Sequence, residues 1–175
     1  MGNTLKAAYM QWDGIHTAHL KDLYRENRDD PSFIPATLDL LETEDAVEVS
    51  SSWVLKYHVD QGEKLSPDQV AQLVKKLGGL RFWESQLHLL QVIPKVSLTE
   101  AHAEQLEPVV RTHLSSDRAF VKASAFAAYF EIVKLFPELK NEFRLRCEDS
   151  LHKVTASVQV KIRRILKQLY PKNNR

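Results

Sequence analysis

The chain has 175 residues, of which 43% are hydrophobic and 27% are charged, and its formal net charge is +1. This length and composition exclude a disordered chain and are ordinary for a globular domain that buries its own core. The single cysteine, Cys147, excludes an internal disulfide, and no early apolar stretch has the length of a signal peptide or a membrane-spanning helix. We therefore expect a cytoplasmic protein with no membrane partner.

Apolar residues spaced three and four apart predict an all-α chain with ten helices. In chain order these helices cover about 4–11, 15–27, 32–43, 45–60, 67–77, 81–93, 99–114, 118–135, 138–153 and 156–169. The connections between them are short, so neighbouring helices are expected to lie antiparallel.

Capping residues and prolines set the predicted helix boundaries. Asp30 is expected to cap the third helix, and Ser66 with Gln69 forms a predicted capping box before the fifth. The stretch 97–100 predicts a second such box before the seventh helix. Pro94 and Pro108 are expected to end or kink the helices in which they fall, because proline removes a backbone donor.

A longer period overlies the helices. Residues Trp12, Val49, Trp83, Val121 and Val158 are separated by 37, 34, 38 and 37 residues, and a helix follows each of them. This spacing predicts one repeat domain over 1–175 in which about five helix pairs stack, with 156–169 as the terminal cap. A compact helical bundle is the alternative, but a bundle does not require equal spacing.

Two stretches resemble the HEAT-like branch of the α-solenoids. Residues 120–130 look like the first helix of a HEAT unit, and Leu135-Phe136-Pro137-Glu138 is similar to the turn that follows it. Residues 158–166 repeat the opening of the pattern. The resemblance implies a right-handed α-α superhelix, and the family implies a binding scaffold more often than an enzyme.

A scaffold of this kind is expected to bind a protein or peptide on its concave face. The seventh helix offers a polar face between apolar positions, formed by Glu100, Glu104, Glu107 and Arg111. Solvated surface is the alternative interpretation of that face. Self-association through the apolar first helix is a third interpretation, so a homo-oligomer is also considered.

A row of cations marks the last predicted helix. Residues 151–175 contain seven Lys and Arg and no acid, whereas 1–150 has a net charge of −6. The row is formed by Lys161, Arg163, Arg164 and Lys167. Three interpretations remain open for it: a solvated cap that suits a helix C-terminus, contact with an acidic protein, or contact with nucleic acid.

The HEAT-like resemblance also raises an enzymatic alternative, since some DNA glycosylases that remove alkylated bases have this fold. Trp12-Asp13, Trp53 and Trp83-Glu84 supply the residue types that such an enzyme uses. The acidic body of the chain disagrees with a basic DNA groove, and tryptophans at repeat anchors are expected in the core. We therefore predict a protein that is not an enzyme and has no catalytic residues.

Metal and cofactor sites are not predicted. His16 and His19 with Asp13 are a weak metal pattern, and hydrogen-bonded or surface histidines are the expected outcome. Ser50–Ser52 lies on a helix without the glycines of a nucleophile turn. Gly78-Gly79 marks a helix end and is not a phosphate-binding loop.

Overall fold

The computed structural model describes residues 2–42 and 45–171. Within these ranges the chain is all-helical, with ten α-helices, two short 3-10 helices and no strand, which confirms the predicted all-α class. The α-helices are α1 (Gly2–Met10), α2 (Ala18–Asn27), α3 (Phe33–Leu40), α4 (Asp45–Asp60), α5 (Pro67–Leu77), α6 (Trp83–Val92), α7 (Glu100–His113), α8 (Ala119–Leu135), α9 (Lys140–Ser150) and α10 (Ala156–Leu169). None of the helices described is long and apolar enough to cross a membrane.

The chain divides into two compact units, Met1–Ser97 and Leu98–Arg175. The first unit contains α1–α6 and the second contains α7–α10. Their charges are opposite: the first unit has ten Lys and Arg against fourteen Asp and Glu, and the second has fourteen against nine. The prediction of one repeat domain over 1–175 stays a prediction.

The first unit is built around α4, which contacts α1, α2, α3 and α6. Ser50, Ser51 and Ser52 are fully buried on this helix. Each of their hydroxyls donates to a carbonyl one turn earlier, as from Ser51 to Val47 at 2.6 Å. Because these small side chains satisfy themselves on their own helix, other helices can pack on α4 from several sides.

A buried carboxylate joins α4 to the start of α6. Glu48 is fully buried, and its Oε1 accepts the backbone N–H of Arg81 at 3.0 Å and of Phe82 at 2.9 Å. The Nε of Arg81 also donates to Glu48, at 3.4 Å. Phe82 occupies the N-cap position of α6 and has no side-chain cap of its own. Glu48 therefore caps α6 from a neighbouring helix.

The second unit is built around α8, which contacts α7 and α10. Phe126 and Tyr129 of α8 lie against Phe143 of α9, with ring centroids 6.0 and 5.0 Å apart. One face of α10 is buried through Val158, Ile162, Ile165 and Leu169, which follow one another at intervals of three and four residues. On α7 the apolar positions between the residues of the predicted polar face are buried as well, namely Ala103, Leu106 and Val110.

Several helix boundaries differ from the sequence prediction because side chains bond to the backbone. The helix expected from residue 15 begins at Ala18, since Asp13 accepts the N–H groups of Ile15 and His16 and holds them in a turn. Asp30 likewise bonds to Ser32 in the turn before α3.

Caps and prolines give a mixed outcome. The box of Ser66 and Gln69 is confirmed. The box expected over 97–100 is wrong, because Thr99 pairs with His102 instead. Pro94 lies in a 3-10 helix after α6, as expected of a terminator, whereas α7 continues through Pro108.

The repeat is regular in some helices only. Val121 and Val158 both occupy the third position of their helices, α8 and α10. Trp83 begins α6, Val49 lies further inside α4, and Trp12 precedes α2. Within each unit, helices that are two positions apart along the chain contact one another: α2 with α4, α4 with α6, α3 with α5, and α8 with α10.

Removal of the Glu48 carboxylate is expected to destabilise the first unit. Glu48→Ala leaves two backbone donors without their acceptor, so the free energy of unfolding should fall by about 3 kcal/mol. Glu48→Gln keeps an acceptor oxygen and should cost about half as much. Urea titration followed by tryptophan fluorescence measures this, since Trp12, Trp53 and Trp83 all lie in the first unit.

The matched control is Glu26→Gln, which removes the same charge from an exposed position on α2. It should change the free energy of unfolding by less than about 0.5 kcal/mol. A Glu48→Ala protein as stable as this control would contradict the capping role.

Candidate functional site

A surface cleft of about 440 Å³ lies in the first unit. Three segments build it: the loop after α1, the part of α4 from Asp45 to Trp53, and the start of α6. Its lining residues are Trp12, Asp13, Gly14, Asp45, Ala46, Val49, Trp53, Phe82, Glu84 and His88. Among the residues that the structure describes, the lining therefore combines three aromatic rings with three carboxylates and contains no Lys or Arg.

The loop wall is held by its own hydrogen bonds. Oδ1 of Asp13 accepts the N–H groups of Ile15 and His16 at 2.9 and 2.8 Å, and Oδ2 lies 2.6 Å from Nδ1 of His16. These bonds lower the pKa of Asp13, with the His16 side chain as the largest cause. The indole N–H of Trp12 donates to the His16 carbonyl at 3.0 Å. Gly14 has a φ of 80°, a left-handed conformation that suits glycine.

The α4 wall presents Trp53, which is backed by other aromatic rings. Trp53 stacks on Tyr57 with centroids 5.0 Å apart and planes 13° apart. Tyr57 in turn meets Tyr24 edge-on at 5.2 Å, and the Tyr24 hydroxyl bonds to His58 at 3.0 Å. Tyr24 and His58 are buried. The orientation of Trp53 is thus set by contacts that reach into the core.

The α6 wall depends on Glu48, which fixes the segment that carries Phe82 and Glu84. Arg81, bonded to Glu48, also forms an ion pair with Asp45 of the cleft. Glu84 is half-buried, and none of the residues that the structure describes offers it a cation within 4.0 Å. Glu84 is therefore the one carboxylate of the lining whose charge is not matched by a neighbour within the described ranges.

His88 is neutral in this environment. Burial, with a smaller contribution from Lys56, lowers its pKa to about 4. The Ser52 hydroxyl donates to the Val49 carbonyl at 2.9 Å, so the Ser52–His88 contact at 3.0 Å must be donated by Nδ1–H of His88. Nε2 is then left as a hydrogen-bond acceptor. Because the Ser52 proton is already donated and the side chain is fully buried, this pair does not form an activated nucleophile.

Such a lining favours cations over anions. Aromatic faces attract cations, and ionised carboxylates add a negative field. A phosphate backbone would meet repulsion here, which is the opposite of what a DNA groove requires.

The structure corrects the expected position of the tryptophans. Trp12, Trp53 and Trp83 were expected in the core, yet all three are half-buried. Trp12 and Trp53 line the cleft together with Asp13 and Glu84, while Trp83 does not.

Sequence reasoning missed Asp45, Phe82 and His88. Asp45 and Trp53 share one face of α4 at a spacing of eight residues, and Glu84 and His88 are four apart on α6. These spacings are a usable signal within one helix. Nothing local in the sequence indicates that the two faces meet.

The polar face predicted on α7 is divided between two roles. Glu100 and Glu104 are exposed. Arg111 bonds to Glu107 at 2.5 Å, to the Tyr129 hydroxyl at 2.6 Å and to Glu142, and the Tyr129 hydroxyl donates to Glu107 at 2.6 Å. This network raises the pKa of Arg111, chiefly through Glu142. Glu107 and Arg111 thus join α7, α8 and α9.

The predicted basic row lies on one exposed side of α10. Lys161, Arg163, Arg164 and Lys167 are all exposed, and no carboxylate in the described ranges lies within 4.0 Å of them. Arg163 donates to Gln159 of the same helix at 3.2 Å. Helix α9, which contacts α10, has acids that pair with other cations, as Glu148 does with Arg144.

The histidines of the weak metal pattern are hydrogen-bonded, as expected. His16 bonds to Asp13, and Nε2 of His19 bonds to the Ala8 carbonyl at 2.9 Å. No group of three His, Cys, Asp or Glu that could hold a metal occurs among residues 2–42 and 45–171. Cys147 is buried in α9, and burial raises the pKa of its thiol to about 12.

Comparison of the chain with protein-family models, curated proteins and solved structures gives no match.

The environment of His88 predicts a pH-dependent stability. A histidine whose pKa falls from 6.5 to about 4 on folding stays neutral in the folded state, while the unfolded chain binds a proton below pH 6.5. Its contribution is complete above that pH and is lost as the pH falls toward about 4. Between pH 7.5 and 5 the loss should be about 2 kcal/mol.

The comparison is with His88→Gln, which lacks the titrating group. Urea titrations at both pH values should show a smaller loss for this variant than for the wild-type chain. His58 and His113, whose pKa values burial also lowers, act alike in both proteins. Equal losses would show that His88 is protonated as readily in the folded state as in the unfolded one.

Proposed function

We propose that this chain is a non-enzymatic binding protein with an α-solenoid architecture of HEAT-like helix pairs, and that its partner is a protein or peptide. The cleft of the first unit is the site at which a basic segment of that partner binds. The observation that carries the proposal is a lining whose described residues supply three aromatic rings and three carboxylates but no Lys or Arg.

The architectural part of the proposal draws support from the order of helix contacts. In a stack of helix pairs, each helix lies beside its counterpart two positions along the chain. The contacts α2–α4, α4–α6, α3–α5 and α8–α10 follow that order within their units. The similar positions of Val121 and Val158 in α8 and α10 agree with the repeat.

The size and charge of the cleft suit one long cationic side chain. Lys and Arg place a charged head at the end of an apolar stem, and the stem can lie along aromatic surface. The head would then meet Glu84, the carboxylate without a cation of its own. The first unit also has a net excess of four acids, which attracts basic segments from a distance.

The proposal predicts that a peptide rich in Lys and Arg quenches or shifts the tryptophan fluorescence of the full chain on binding. Glu84→Gln should weaken binding by up to about fivefold, since it removes one surface ion pair. Trp53→Leu should weaken it by about tenfold through loss of an aromatic face. Titration calorimetry gives the affinities of the variants.

Glu26→Gln serves as the control for net charge and should bind as the wild-type chain does. If all three variants bind equally well, the peptide does not use the cleft. If no basic peptide binds at low ionic strength, the proposed function is wrong.

The basic row favours nucleic acid as a second candidate ligand, for the second unit. Four exposed cations on one helix, without carboxylate partners among the described residues, resemble a set of phosphate contacts. The positive charge of this unit acts in the same direction.

Duplex binding by the row would depend steeply on salt. Each phosphate contact adds about 0.9 to the slope of log affinity against log salt concentration. Replacing Arg163, Arg164 and Lys167 together by Gln should therefore lower that slope by up to about 2.7. Fluorescence anisotropy of a labelled generic duplex measures both quantities.

A matched triple variant removes the same amount of positive charge from the first unit. Lys21→Gln, Lys64→Gln and Lys75→Gln change exposed residues of that unit and should leave the slope unchanged. An undetectable affinity at low salt, or equal slopes for the two triple variants, would remove the row as a nucleic-acid site.

A further inference from the structure

We infer that the cleft of the first unit recognises a methylated lysine side chain, in preference to an unmodified lysine, on the partner protein. The inference rests on the proposed function, because it specifies the cation that the same cleft accepts.

The first step concerns the carboxylates, two of which are already occupied. Asp13 accepts two backbone N–H groups and lies against the His16 imidazole. Asp45 is paired with Arg81. Both keep their negative charge, but their capacity to accept further hydrogen bonds is reduced. They therefore contribute a negative electrostatic field more than they contribute free hydrogen-bond acceptors.

The second step concerns the aromatic lining. Trp12, Trp53 and Phe82 contribute ring surface, and the only N–H of the Trp12 side chain is already bonded to the His16 carbonyl. Trp53 is fixed by its stacking on Tyr57. The rings therefore offer a preorganised, weakly polar surface beside negative charge, which is the environment in which alkylated ammonium groups are recognised.

The third step compares the two forms of lysine. An unmodified ammonium is strongly hydrated and needs acceptors for three N–H donors when it loses water. The cleft offers Glu84 and the neutral His88 for that purpose. A trimethylated ammonium keeps the charge, has no N–H to satisfy and spreads the charge over methyl groups that can contact the rings. The cleft supplies negative charge but few free hydrogen-bond acceptors, and it therefore favours the methylated form of lysine.

The fourth step identifies the source of the cation as a polypeptide. Ile15 belongs to the same loop as Trp12 and Asp13, and it is 75% exposed, the largest exposed fraction among the large apolar side chains described. It gives an apolar contact to residues that flank a lysine in a peptide chain. A free quaternary ammonium compound has no flanking residues that could make such a contact.

The experiment compares three peptides of one basic sequence, with a central lysine, a trimethyllysine, or the neutral carbon analogue of trimethyllysine. The full chain is titrated with each by calorimetry. The trimethyllysine peptide should bind about tenfold more tightly than the lysine peptide, and the neutral analogue should lose that gain. Trp53→Leu should abolish the preference, and the conservative variant Trp53→Phe should retain part of it.

Phe120→Leu is the aromatic control, since Phe120 is exposed in the second unit and should not affect the preference. Circular dichroism confirms that each variant is folded before its affinity is used. Tetramethylammonium chloride is titrated separately to distinguish a free cation from a side chain, and it should bind at least about tenfold more weakly than the trimethyllysine peptide.

Four outcomes would overturn the inference. Equal binding of the lysine and trimethyllysine peptides removes the preference but leaves the proposed function intact. Equal binding of the trimethyllysine peptide and its neutral analogue shows that charge is not recognised. Tetramethylammonium binding as tight as that of the peptide shows that the cleft takes a small molecule. Failure of every peptide to bind would count against the proposed function as well.

Discussion

The structure of the first unit depends on the buried carboxylate of Glu48. A carboxylate without water needs several donors, and here two backbone N–H groups and Arg81 supply them. The same groups lie where α6 begins, at an end that Phe82 cannot cap with its own side chain. One residue therefore satisfies two requirements at once: the charge of Glu48 is compensated, and α6 obtains a cap. The relative position of the two helical walls of the cleft follows from it.

The helices of the part of the chain that the structure describes could be predicted because apolar residues spaced three and four apart indicate a helix that is buried on one side. Helix ends could be predicted only where the capping side chains indicated by the sequence also bond to the backbone in the structure, as at Ser66 and Gln69. At Asp13 and Thr99 a local side-chain bond competes with the expected boundary, and both Ser97 and Thr99 are acceptable caps in sequence terms. Choosing between such candidates requires the three-dimensional path of the chain.

The cleft is less predictable than the helices because its lining comes from three distant segments. Each segment carries an aromatic residue and an acid, a composition that sequence alone cannot distinguish from core tryptophans beside solvated carboxylates. What joins the α4 and α6 segments is a tertiary contact through Glu48, a residue that resembles any first-turn helix acid in the sequence. The sequence thus shows where along the chain the charged residues lie, but it does not show that they come close together in the fold.

The regular spacing of polar residues also does not distinguish a helix face that is open to a partner from one that is bonded to neighbouring helices. Glu107 and Arg111 have the spacing of a solvated helix face, yet they are bonded to Tyr129 and Glu142. Such residues hold helices together, and binding a partner through them would require breaking several charge-assisted bonds. Residues whose charge is left unmatched, such as Glu84 in the cleft and Lys161 or Arg164 on α10, can bind without that cost. For this reason we propose the cleft and the basic row, rather than the polar face of α7, as the surfaces that bind a partner.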